Sequence, residues 1–185
     1  TQFNNKNDFN TYPRDLSKDL KVLKRLKVDF VYIPTVRQIY NSKQIPKISL
    51  KKSEKILCAK FRKDHFEGVL TVLNHFVKLI SPKIMFMGEK DYQQYFLVHN
   101  FISKNYKTIV YLCKTIRSTN GMALSSRNKH LNKVDFKTSG LIAKKLFKFK
   151  STLTKKNSVD GISSKKTNEL AQKIKQQLIN KFNIK

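Results

Sequence analysis

Phe86-Met87-Gly88-Glu89-Lys90-Asp91-Tyr92-Gln93-Gln94 joins two different periodicities. Before it, Lys83–Phe86 (Lys-Ile-Met-Phe) predicts a short buried strand. After it, Tyr92–Asn105 predicts a helix. A glycine, a lysine and two acids occupy the junction. In an open α/β sheet, ligands bind outside the carboxyl end of a strand. Glycine lets backbone approach a ligand closely, and the next helix offers N–H groups and a partial positive charge to a phosphate. Lys90 adds a mobile cation. The same nine residues also suit an ordinary strand–turn–helix corner with solvated charges, and their local chemistry leaves both readings open.

Outward from this corner, strands and helices alternate. Upstream, Phe66, Val69, Leu70, Leu73, Phe76, Val77 and Ile80 form one apolar stripe, so His65–Ser81 is a helix, ended by Ser81-Pro82. Downstream, Thr108–Leu112 is a strand. Further upstream, Leu16, Leu20, Leu23 and Leu26 recur at helical spacing. They predict a helix over Ser17–Lys27 with Ser17 as its N-cap. Val28–Ile33 is strand-like and closed by Pro34, and Thr35–Tyr40 is a short helix. Thr1–Asp15 reads as a polar loop. Asn41–Lys60 is irregular, with a strand at Lys47–Leu50. This alternation predicts an α/β fold with a parallel sheet flanked by helices. After Lys114 the chain turns polar, and two lysine-rich helices follow, Lys133–Phe149 and Lys165–Phe182, joined by a linker over Ser151–Ser164. The expected domains are 1–114 and 115–185.

The 185 residues carry a formal charge of +27, from 39 Lys and Arg against 12 Asp and Glu. Such a balance raises nucleic acid or an anionic membrane as partner. The lysines, however, are scattered, and only six of the basic residues are arginine, the preferred planar reader of bases and phosphates. The expectation is a solvated lysine-rich surface and no specific nucleic acid. A positive field also suits an anionic substrate such as a nucleotide. No apolar run is long enough to span a membrane. Cys58 and Cys113 form no CxxC pair, so no metal site is expected, and buried free thiols in a reducing cytoplasm are.

Gly88-Glu89-Lys90-Asp91-Tyr92-Gln93-Gln94 and Ala123-Leu124-Ser125-Ser126-Arg127-Asn128 resemble the two signature stretches of the pantoate–β-alanine ligase family. Three further stretches agree in order and spacing: Gln2-Phe3 with Tyr12-Pro13-Arg14; Asp29–Tyr40; and Arg62, His65-Phe66 and Gly68-Val69. The similarity runs from Thr1 to about Asn132. It implies a Rossmann-like nucleotidyltransferase domain and a smaller α+β C-terminal domain that closes over the site. It implies two steps: pantoate attacks the α-phosphorus of Mg-ATP, and the amine of β-alanine then attacks the pantoyl adenylate, releasing AMP. It also implies a homodimer.

The resemblance further implies that Gly88, Glu89, Lys90 and Asp91 line the ATP site, Lys90 at the phosphates and Asp91 near the ribose. Leu124, Ser125, Ser126 and Arg127 cover the phosphates, with Lys90, Ser125, Ser126 and Arg127 as the catalytic group. The backbone of Ile116 meets the adenine. Gln2 and Gln94 hold pantoate, and Arg62 and His65 form a substrate-side pair. An amide suits a hydroxy acid, since it donates to a carboxylate while accepting from a hydroxyl. Mg²⁺ accompanies ATP. His75, His99 and His130 match no motif and are expected to be structural.

The family's His-x-Gly-His signature does not occur, and Thr1 is not an initiator Met. The expectation is a fragment lacking the first βα unit and the C-terminal end, inactive alone. Lys63 stands where proline is usual, Met87 where an aromatic or small residue is usual, and Asn120-Gly121-Met122 where Asp-Gly-Leu is usual. The competing readings are a basic nucleic-acid-binding module, for which charge alone speaks, and another nucleotidyltransferase of the same superfamily acting on a different acid.

Overall fold

Side chains of a strand point alternately to opposite faces, and this organises the first of two compact units, Thr1–Thr115 and Ile116–Lys185. The computed structural model describes residues 6–12, 14–40, 48–160 and 163–182. Ile84–Gly88 (β1) pairs in parallel with Ile109–Cys113 (β2), from Ile84 beside Ile109 to Gly88 beside Cys113. A parallel pair needs a crossover, which Tyr92–Asn105 (α6) supplies. Met85, Met87 and Val110 pack into one core with Leu97, Val98 and Ile102 of α6 and Phe66, Leu70 and Val77 of His65–Ile80 (α5). Val98 and Ile102 are fully buried. The fold is therefore mixed α/β, with helices against a parallel sheet.

Strand β1 is not buried on both faces, as Lys83–Phe86 suggested. Ile84, Phe86, Ile109 and Tyr111 are exposed, because α5 and α6 share the core of the other side-chain row.

Two polar bonds fasten the helices to the sheet's entrance. The Tyr106 hydroxyl donates to Asn74 Oδ1, and Thr108 Oγ1 donates to the carbonyl of Pro82 at 2.7 Å. Asn74 is buried, so losing its partner leaves an amide oxygen unsatisfied. Tyr106→Phe is expected to destabilise the fold by about 1–3 kcal/mol, read by urea unfolding. Burial also pushes the Tyr106 phenol above its ordinary value. The folded state thus keeps a proton that the unfolded chain loses near its ordinary phenol value. Stability falls as pH rises through that value, and the Phe variant lacks this component of the alkaline loss.

Several expected elements form differently. Lys6–Thr11 (α1) is helical rather than loop. The next helix is Leu16–Arg25 (α2), capped by Asp15 and not Ser17: Asp15 Oδ1 accepts from Lys18 N at 2.9 Å, and a carboxylate also suits the positive end of the helix. Val28–Ile33 makes no ladder, since the described residues give it no pairing strand, and Phe30 is 93% exposed. Val36–Tyr40 (α3) forms as expected. Lys47 lies outside the described residues, and Ile48–Leu50 is not a strand; Leu50 instead joins the core. A short helix, Cys58–Phe61 (α4), follows.

In the second unit, Lys133–Asp160 (α7) runs through most of the expected linker. No glycine or proline interrupts that stretch between Ser151 and Asp160, and the hydroxyls of Thr152 and Thr154 donate back to Lys148 and Lys150 carbonyls. Ser164–Phe182 (α8) packs against α7. The β content described for this unit is one antiparallel bridge, Arg117 with Ala123. The cysteines are not buried either: Cys58 is exposed and Cys113 partly so. No described helix is long and apolar enough to cross a membrane.

Candidate active site

The corner between β1 and α6 begins at Gly88, which is extended and exposed. A Cβ there would meet nothing within 4 Å. Neither backbone conformation nor packing demands glycine at this place. Glu89–Asp91 make one 3-10 turn. Glu89 Oε2 accepts from Thr115 N at 3.1 Å and from Thr115 Oγ1 at 3.3 Å, tying the end of β1 to the chain leaving β2. Lys90 Nζ lies 3.1 Å from both carboxylate oxygens of Asp91. Asp91 is the N-cap residue of α6, yet its carboxylate makes no cap bond. The Lys90–Asp91 pair is largely exposed, and such pairs contribute about 0–1 kcal/mol, so separating the two groups costs little.

The two glutamines that open α6 point differently, because successive helical residues are about 100° apart. Gln93 is occupied by the protein: its Oε1 accepts from Cys58 N at 2.9 Å and its Nε2 donates to the Ile56 carbonyl at 2.7 Å. Gln94 is half-buried, and its side chain makes no hydrogen bond among the described residues. Arg62 and His65 follow α4. Arg62 N donates to the Cys58 carbonyl at 2.9 Å, and His65 N to the Arg62 carbonyl at 3.3 Å. His65 is only 4% exposed and meets Phe66 edge-on. Leu57 and Asp64, on either side of Arg62, both have positive φ, 49° and 56°. Left-handed backbone at non-glycine residues costs about 1–3 kcal/mol each and gathers at functional segments.

In the second unit a knot of hydrogen bonds precedes the serines. Asn120 Oδ1 accepts from Ser118 Oγ at 2.6 Å and Met122 N at 3.1 Å, while its Nδ2 donates to the Phe136 carbonyl at 2.9 Å. An aspartate at this position could accept but not donate, so asparagine adds the bond to α7. Gly121 takes φ +91°, which glycine permits. Arg117 donates to the Gly121 carbonyl and lies over the Phe147 ring at 4.7 Å. Leu124 N donates to the Ile116 carbonyl at 3.0 Å. Ser125 caps the 3-10 turn Ser126–His130 by accepting from Arg127 N at 3.3 Å, and Asn128 Nδ2 donates to the Ala123 carbonyl. Ser125 and Ser126 are half-buried, and Arg127 is exposed.

Gly140 on α7 lies under this knot. A Cβ added there would stand 2.9 Å from three side-chain atoms of Asn120. Gly140→Ala is expected to displace Asn120 and lower stability by about 1–3 kcal/mol, measured as a shift in denaturant midpoint, although alanine favours helix.

A family model described as pantoate–β-alanine ligase matches residues 1–184. The chain belongs to the pantoate–β-alanine ligase family. The match continues well past Asn132, where the recognisable motifs stop. A pantothenate synthetase from Azobacteroides pseudotrichonymphae is 37% identical over 187 residues, covering 99% of this chain and 61% of that protein. One from Francisella philomiragia is 38% identical over 144 residues, covering 77% and 55%. Among solved structures, a pantoate–β-alanine ligase from Francisella tularensis, complexed with β-γ ATP and β-alanine, superposes with a TM-score of 0.73 at 33% identity, covering 93% of this chain and 63% of that one. A pantothenate synthetase from Thermus thermophilus gives a TM-score of 0.80 at 26% identity, covering 95% and 63%. The chain thus spans less than two thirds of the length of these relatives. Its fold is the nucleotidyltransferase type of this ligase family.

Of the residues that the ligase family's motifs single out, Gly88–Asp91 share one turn. Gln94 lies in the first turn of the helix that this turn feeds, and Arg62 and His65 sit at the entry to α5. Ile116 and Leu124 are joined through backbone, and Ser125–Arg127 follow directly. Gln2 lies outside the described residues. Motif reasoning missed Gln93 and Asn120. The signal for Gln93 was its place one residue before Gln94, on another helical face. Asn120 was noticed only as a departure from aspartate. His75 and His99 are half-buried beside Phe76 and Tyr95, while His130 is exposed.

Proposed function

We propose that the protein carrying this sequence condenses pantoate with β-alanine, driven by ATP cleavage. The observation that carries this reading is the ligase-family match over residues 1–184, which includes both signature stretches. The ATP and β-alanine of the Francisella tularensis complex support the same substrates here. In the first step the pantoate carboxylate attacks the α-phosphorus, the bond to the bridging oxygen breaks, and pyrophosphate leaves. In the second, the uncharged amine of β-alanine attacks the acyl carbon, AMP leaves, and a proton is lost from nitrogen. Nucleotidyl transfer of this kind depends mainly on positioning and charge stabilisation.

The residues divide by chemistry. Gly88 leaves open space for the nucleotide, Lys90 serves the phosphates, Asp91 the ribose, and Glu89 fixes the turn. Ser125, Ser126 and Arg127 offer two hydroxyls and a guanidinium to phosphate oxygens, beside Leu124; the Ile116 backbone meets the base. Gln94, Gln2, Arg62 and His65 hold the acid substrates. Mg²⁺ arrives with the nucleotide as Mg-ATP and would supply charge neutralisation at the phosphates. We assign the reaction to the cytoplasm because both cysteines are free thiols. The homodimer is carried over from the family.

The test uses a polypeptide of the relatives' length that carries this sequence. Pyrophosphate release from ATP is expected only with pantoate, and AMP release only when β-alanine is added. Turnover with another acid in place of pantoate would overturn the substrate assignment. Absence of any acid-dependent pyrophosphate release from the folded protein would overturn the activity.

A further inference from the structure

Leu57 occupies a conformation that L-residues avoid, φ 49° and ψ −127°. Such geometry persists only where the surroundings over-determine it. One side chain does so here. Gln93 donates to the carbonyl of Ile56 at 2.7 Å and accepts from the N–H of Cys58 at 2.9 Å, gripping the peptide groups on both sides of Leu57. The Ile56 carbonyl also accepts from Ala59 N at 3.0 Å, which closes the turn around Leu57. Packing does not hold Leu57 itself, for its side chain is exposed. The same Cys58 that Gln93 holds by its N–H receives Arg62 N at its carbonyl, and the Arg62 carbonyl receives His65 N. An unbroken hydrogen-bonded path therefore leads from the first turn of α6 to Arg62 and His65.

We propose that Gln93 is a positioning residue for the acid substrate. Its amide fixes the Ile56–Leu57–Cys58 turn, and through that turn it sets Arg62 and His65 in register with Gln94 on its own helix. The proposal rests on the functional reading above. The paired glutamines then have separate tasks: Gln93 faces the protein and Gln94 the substrate. Glutamate at 93 could still accept from Cys58 N but could not donate to Ile56, so it preserves half of the clamp.

The test compares wild type, Gln93→Leu, Gln93→Glu, Leu57→Gly and the Gln93→Leu/Leu57→Gly pair at the relatives' full length. The first readout needs no activity: amide hydrogen exchange at Cys58 and Arg62. Gln93→Leu is expected to speed it by about 10-fold at Cys58, whose N–H loses its acceptor, and by less at Arg62, whose N–H is held by the Cys58 carbonyl. Unchanged exchange would overturn the clamp, whatever the enzyme's substrate. The second readout is kinetic. The pantoate KM is expected to rise about 10-fold in Gln93→Leu and less in Gln93→Glu, with the ATP KM within about twofold of wild type. Glycine tolerates the left-handed conformation without help, so Leu57→Gly is expected to restore part of the pantoate KM in the Gln93→Leu background.

A drop in kcat matching only the unfolded fraction, with the pantoate KM unchanged, would reduce Gln93 to a structural residue and overturn the proposal. If the wild type uses another acid, the functional reading fails while the exchange result still decides the clamp.

Discussion

Lys90→Ala is expected to lower kcat/KM for ATP in pantoate-dependent pyrophosphate release by about 10²–10³. A cation aimed at developing phosphate charge is stronger in the transition state than in the ground state, so its loss falls on the chemical step. Lys90 sits in the 3-10 turn between β1 and α6, and its partner Asp91 releases it at little cost. Lys90→Arg keeps the charge but spreads it over a planar fork, and is expected to recover only part of the rate. Melting temperature should barely move, because neither Lys90 nor Asp91 is in the core. The measurement is steady-state pyrophosphate release across ATP concentrations. A loss below about 5-fold would remove Lys90 from the group that stabilises charge.

Gln94→Ala is expected to lower kcat/KM for pantoate by about 10–100-fold, while the KM for ATP changes less than about twofold. The asymmetry follows from which amide is already engaged. Gln93 commits both its polar atoms to the 56–58 turn; Gln94 commits neither to the described residues. A site built to bond a hydroxyl and a carboxylate loses discrimination when one amide goes, so the variant should also accept the acid lacking the hydroxyl relatively better. The comparison is initial rate against pantoate and its deoxy analogue. Equal damage to ATP and pantoate would refute the division of labour.

Much of the fold was legible because long-range packing agreed with local pattern. The stripe of α5, the place of β1 and the span of α6 were legible because each meets the core, although the one-sided burial of β1 was not. Elements misjudged were those with no such face. Val28–Ile33 has strand composition, but a strand exists only with a partner, and composition does not name one. The hydroxyl-rich stretch after Ser151 looked like a linker because serine and threonine compete with helix in the abstract; here Thr152 and Thr154 bond back within α7. Asp15 and Ser17 are both good caps, and only the geometry of Lys18 N distinguishes them.

The candidate site was legible as a set of motifs, since charged and amide residues at a strand–helix corner announce their chemistry. Its supports were not. Gln93 and Gln94 are identical in sequence, and only a partner 35 or 37 positions earlier separates their tasks. Leu57 carries no hint of its positive φ, since leucine is a rare choice for it.

The closeness of Asn120 and Gly140 has a consequence for how this chain can change by descent. A larger residue at 140 collides with Asn120. A smaller residue at 120 makes room but gives up the bonds to Ser118, Met122 and Phe136. Each first substitution is therefore penalised, and only the pair taken together offers a new packing. Neutral drift should hold the two positions as a couple: lineages that keep asparagine at 120 in this arrangement keep glycine at 140, and a change at one is followed by a compensating change at the other.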